Sequence, residues 1–165
     1  MKNKIFLTLS FIGLISLMVS CAKDETKVVM LTEPVVPKIL TFPDMSLVKD
    51  HAKDTLTFTA TPVDPGFKVS ANYFLEACVS GNGFKAAATM RIYFAKQDTL
   101  MTITVEALNK LLVAKKFVAG VETAVDFRVR GILSVDAGTG APGSSTNPLE
   151  YKSEIYTQNV VSYTP

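Results

Sequence analysis

Apolar residues run almost unbroken from Ile5 to Val19, broken by Thr8, Ser10, Gly13 and Ser16, and beyond Lys38 they fall into short alternating stretches. Lys38 to Phe42 reads as a short strand stopped by Pro43-Asp44. Thr55 to Thr61 alternates strictly, with Leu56, Phe58 and Ala60 on one side and threonines on the other, which predicts a half-buried strand. Pro62 and Pro65-Gly66 end it. Ala71 to Val79 is a second strand whose two faces, Tyr73/Leu75/Ala77/Val79 and Phe74/Glu76/Cys78, are both fairly apolar, so the pattern does not orient it. Ser80-Gly81-Asn82-Gly83 predicts a turn. Strands over Thr89 to Phe94 and Thr99 to Val105 follow, separated by the polar Lys96-Gln97-Asp98.

The period then changes. Leu108, Leu111 and Leu112 stand at i, i+3 and i+4, the spacing of one amphipathic helix. Thr104 suits its N-cap, Glu106 its positive start, and Lys115 and Lys116 its negative end, with Gly120 beyond. Val121 to Leu133 returns to period two, with Val125, Phe127 and Val129 opposite Asp126, Arg128 and Arg130. A Gly/Ser/Pro-rich loop spans 137–148, and Tyr151 to Tyr163 reads as the last strand. Short strands separated by turn signals at this spacing predict an all-β sandwich with one short helix between late strands.

The first apolar run is too short for a comfortable span of about 20 residues and suits a signal-peptide core behind the positive Lys2 and Lys4. It ends in Met18-Val19-Ser20-Cys21, which resembles a bacterial lipobox, although Met18 stands where Leu is usual. The resemblance implies cleavage before Cys21 and acylation of its thiol and new amine, and two or more acyl chains hold a protein stably on lipid. Lys23, Asp24 and Glu25 resemble the signal that sends such lipoproteins to the cell surface. The expected organisation is a signal peptide over 1–20, a lipidated N-terminus and flexible tether over 21–37, and the sandwich over 38–165.

The 165 residues suit one domain. The formal charge of +2, from 17 basic and 15 acidic side chains, disappears once Lys2 and Lys4 are removed. A neutral, interspersed surface carries no footprint for nucleic acid. With 1 His and 2 Cys the chain lacks the ligands of a four-coordinate zinc site. His51 sits in a polar loop, no G-x-S-x-G elbow exists, and Gly138-Thr139-Gly140 lacks the Gly-Lys-Ser/Thr of a phosphate loop. No enzyme activity and no cofactor are expected. Cys78, without a partner once Cys21 is lipidated, is expected to be buried as a small apolar residue. Asp54-Thr55-Leu56 and Asp98-Thr99-Leu100 resemble an Asp-Thr-apolar O-glycosylation acceptor, which makes Thr55 and Thr99 candidates. Trp, the commonest sugar-stacking side chain, is absent. Among the tyrosines, Tyr151 and Tyr156 beside the Gly/Ser/Pro loop are the candidate contacts for a glycan or a partner, while Tyr73 and Tyr93 fall in strands.

LTFTATPVDPGF (56–67), YFLEACVSGNGF (73–84), TITVEALNKLL (102–112), VDFRVRG (125–131) and NVVSYTP (159–165) together resemble the N-terminal domain of the SusE family. That family comprises outer-membrane lipoproteins of starch-utilisation systems. The resemblance implies an immunoglobulin/fibronectin-III-like fold for the sandwich, a place on the outer membrane facing the cell exterior, and protein partners of a glycan-uptake assembly. Family members usually continue into further domains that carry the sugar sites, whereas this sequence stops at Pro165. The expected role is therefore a non-catalytic spacer or docking module. The alternatives are direct binding of oligosaccharide through surface tyrosines, or a structural, adhesin-like module unrelated to glycan uptake.

Overall fold

A computed structural model of the protein describes residues 29–94, 99–134 and 148–165. The described strands are β1 (Ile39–Thr41), β2 (Thr55–Ala60), β3 (Ala71–Val79), β4 (Met90–Tyr93), β5 (Leu100–Thr104), β6 (Glu122–Leu133), β7 (Glu150–Lys152) and β8 (Tyr156–Val161), with one helix, α1 (Val105–Ala114). They form two antiparallel sheets, β1-β2-β5 and β4-β3-β6, the second extended by β7 and β8, which pair in succession along one edge of β6. After β1 the chain crosses to the second sheet, where Ser46 bridges Val161 in parallel. The fold is the all-β sandwich that the strand spacing predicts, of the immunoglobulin-like kind that the family resemblance implies.

The alternation in each strand decides what lies between the sheets. Phe58 and Ala60 of β2 and Met101 of β5 face Tyr73, Leu75 and Ala77 of β3, Ile92 of β4, Val125, Phe127 and Val129 of β6, and Val160 of β8. Fully burying one such large apolar side chain contributes about 1.5–3 kcal/mol. The Phe42 ring closes the seam, packing edge-on against Phe58 of one sheet and Phe127 of the other at centroid distances of 5.0 and 4.6 Å. Gly131 lies where β6 passes the Tyr73 ring, because a Cβ there would stand 2.9 Å from Tyr73 Cε1.

Helix α1 forms as its sequence directs. The Thr104 hydroxyl accepts the Ala107 N–H at 3.2 Å, and Glu106 pairs with Lys110 one turn on. Leu108 and Leu112 are fully buried under it, whereas Leu111 is exposed. Its stop differs from the expected glycine signal: Lys116 itself takes the left-handed conformation (φ 66), and the Phe117 N–H returns to the Leu112 carbonyl at 3.2 Å.

The final strand is also broken, into β7 and β8. Buried Ser153 stands in the gap, where its N–H donates to the Val129 carbonyl at 2.8 Å and its Oγ accepts the Val129 N–H at 2.9 Å. The hydroxyl thus replaces one rung of the ladder and lets the strand kink without orphaning a backbone group. Within the segment expected to be a tether, Leu31 donates its N–H to the Pro65 carbonyl at 2.8 Å. Val35 and Asp64 exchange bonds of 2.8 and 3.0 Å.

Candidate functional site

The residues with most chemistry to offer lie on the outward face of the second sheet. Register places Glu76 of β3 between Arg91 of β4 and Arg128 of β6, and Arg130 between Phe74 of β3 and Lys152 of β7. The Glu76 carboxylate is 2% exposed. Its Oε2 accepts from Arg128 Nε at 2.8 Å and Nη2 at 2.7 Å, and its Oε1 from Arg91 Nε at 3.2 Å and Arg130 Nη1 at 3.3 Å. Arg130 also grips Glu150 Oε2 through Nε, at 2.8 Å, and through Nη2, while Lys152 reaches Glu150 Oε1 at 2.8 Å. Four cations thus share two carboxylates.

Burial pushes the Glu76 carboxyl up, but the Arg128 hydrogen bond and the charges of Arg128, Arg130 and Arg91 outweigh it and hold the group below the usual carboxylate range. Glu150 is lowered too, first by its bond to Lys152 and, against burial, by Arg130. One row along, Asp126 is lowered chiefly by its bond to the Thr157 hydroxyl, at 2.7 Å.

The β3–β4 connection curls over this face. Phe84 adopts φ 55, a left-handed conformation costly for a bulky residue, and its ring lies 3.9 Å from the Arg128 guanidinium. That cover explains why both faces of β3 are apolar: Tyr73, Leu75 and Ala77 enter the core, while Glu76 and Cys78 are buried on the outer side.

Two of the hollows among the described residues lie elsewhere. One of about 500 Å³ opens beside the β7–β8 break, between Val36–Ile39 and Ser153–Tyr156. The other, about 290 Å³, lies by the start of α1 and the C-terminal segment, with Asn109, Lys110 and Tyr163 in its wall.

The structure separates the two candidate tyrosines. Tyr156 is 43% exposed, lines the larger hollow, and packs against Phe42 at 4.8 Å between centroids. Tyr151 is half-buried against the core, and its hydroxyl lies 3.3 Å from the Met30 sulfur. Of the candidate acceptors, Thr55 is exposed at the start of β2, while Thr99 is half-buried before β5. Cys78 is a buried free thiol. His51 is exposed and bonds Asp54 Oδ2 through Nδ1 at 2.7 Å. Cys21, Lys23, Asp24, Glu25 and nearly all of the Gly/Ser/Pro loop lie outside the described residues. Among the described residues, no group of three or more His, Cys, Asp or Glu is placed to hold a metal ion.

The charged face was only half legible. The alternation of Asp126, Arg128 and Arg130 marks an outward row on β6, and Glu76 is the one charged residue in β3. Nothing in the linear order brings Glu76 to arginines 15, 52 and 54 positions away.

The model of the SusE outer membrane protein family matches residues 23–130, well over half of the chain. The chain belongs to the SusE family. Neither a curated protein nor a solved structure matches it. Membership makes it an outer membrane protein of a Sus-type system. The matched region holds strands β1 to β5, α1 and the three arginines that bind Glu76, while β7 and β8 follow it. Chemically, this SusE-family sandwich offers fixed guanidinium groups, aromatic faces and a tyrosine-lined hollow, which are the means of binding.

Proposed function

We propose that the protein is a lipid-anchored, non-catalytic accessory of its Sus-type system, held on the outer membrane through Cys21, facing the exterior, and acting as a docking and spacing module. The observation that carries this reading is where the chain joins the sandwich. Leu31 is pinned to the backbone beside the 64–66 turn, with Cys21 a short way upstream. The intervening chain reaches at most roughly 35 Å. An acylated Cys21 would therefore hold the sandwich close to the lipid and turn that end toward it. The C-terminal segment emerges at the opposite end, where Glu122 pairs with Val161. Lys23, Asp24 and Glu25 would direct the anchored protein outward.

The test compares the full chain with its Cys21→Ser variant in cells, by membrane fractionation and by protease treatment of intact cells. The wild type should sediment with the outer membrane and be degraded from outside, and the variant should leave the membrane. A wild type that is released like the variant rules out the anchor, and one fully protected in intact cells rules out the exterior placement.

A second reading, contact with oligosaccharide, draws on the exposure of Tyr156 in the larger hollow, flanked by Lys38 and Glu154. Retardation by a neutral glycan in a native gel, abolished by Tyr156→Ala, would establish it.

A further inference from the structure

We infer that the outward face of the second sheet is the docking surface itself, and that its partner is a protein presenting carboxylates. The inference rests on the docking reading and names the partner's chemistry. The network of Arg91, Arg128, Arg130 and Lys152 around Glu76 and Glu150 keeps two positive charges beyond what it neutralises. Asp126, in the next row, is bound only by the neutral Thr157 hydroxyl and Gly81 N–H and keeps its own charge, so the face as a whole retains one positive charge, away from Asp126. The excess is available toward the two edges of the sheet, in neighbouring rows, since Arg91 and Lys152 are 49% and 42% exposed, whereas Arg128 and Arg130 are below 20%.

Register separates these two cations by three strand gaps and two residues along the strands, about 16 Å at the usual strand spacing and rise. The strip between them holds half-buried Phe74 and Phe84. Arginines and aromatic side chains together on one surface are the composition of a protein-binding hot spot. Charge complementarity selects an acidic partner. Arg128 and Arg130 are already fixed by Glu76, Glu150 and the Phe84 ring, so docking orders few side chains. The strained backbone at Phe84, which sets that ring over Arg128, fits a face shaped for contact.

The experiment uses the full lipidated chain in its own outer membrane, solubilised mildly and run on blue-native gels. It compares wild type, the double variant Arg91→Gln/Lys152→Gln, and Lys110→Gln as a surface-charge control. Both altered side chains are half-exposed, and a melting curve of each purified variant confirms that it folds. The expected result is a high-mass assembly for wild type and control, weakened at least tenfold in the double variant and dissociated from wild type by raised salt. An assembly that survives the double substitution overturns this face and leaves docking in place. A wild type that runs as a monomer overturns docking and this face together. Retardation by polygalacturonate that the double variant loses, with assembly unchanged, reassigns the face to an acidic glycan and overturns the protein partner.

Discussion

Glu76 is a carboxylate that only its neighbours make tolerable. Burying a charge is costly, and here it is offset by bonds from three guanidinium groups. Replacing it with glutamine keeps the shape and removes the charge that those arginines share. Glu76→Gln should therefore lower unfolding stability by about 3 kcal/mol, read from denaturant melts at neutral pH. The sign of its pH dependence follows from the lowered carboxyl. Above the unfolded value of about 4.3 the wild type has the full stabilisation, and it loses it as pH falls through the lower folded value. The variant should show a flatter decline below about pH 4, because that proton uptake is gone. An identical acid slope in both proteins would mean that Glu150, Asp126 and the other carboxylates carry the acid sensitivity.

Among the elements, α1 does more than cover the core. Asn109 is 1% exposed, and its amide reads the backbone of Tyr163 in both directions: Oδ1 accepts the N–H at 2.8 Å and Nδ2 donates to the carbonyl at 2.9 Å. One side chain thus supplies the two bonds of a missing strand neighbour. Asn109→Ala should cost about 2 kcal/mol and speed amide exchange at Tyr163 more than at Val160. Uniform exchange along 160–163 would refute this local pinning. The elements themselves were largely readable. Strict alternation gave β2 and β6 nearly to the residue, and the leucine spacing gave α1. What pattern could not give was set by contacts distant in sequence. Both faces of β3 are covered, so alternation carried no direction there. The β7–β8 break depends on a serine hydroxyl taking a backbone partner, and a lone serine in a strand reads as an ordinary polar position. Tyr156, near the loop in sequence, lines a hollow. Tyr151, also near the loop, sits half-buried beside Met30, because the 29–35 segment lies on the body.

Across the whole molecule the two ends of the sandwich differ. At one end lie Leu31, the 64–66 turn and the C-terminal end of β6; at the other lie the start of α1, the β3–β4 connection and the C-terminal segment. The charged sheet face runs along the side between them, so the anchor proposed at one end would leave that face free to meet a neighbour on the same membrane. The parallel contact after β1 has a mechanical meaning as well. Leu47 donates to the Val161 carbonyl at 3.0 Å, and Val161 donates to the Met45 carbonyl at 3.1 Å. Stretching the chain between Leu31 and Tyr163 would slide these two segments past each other, so both bonds would bear the tension at once and not open in turn like a zip. A pull applied across the molecule in this way would meet its resistance there, at a seam of a few residues beside Phe42 and the core.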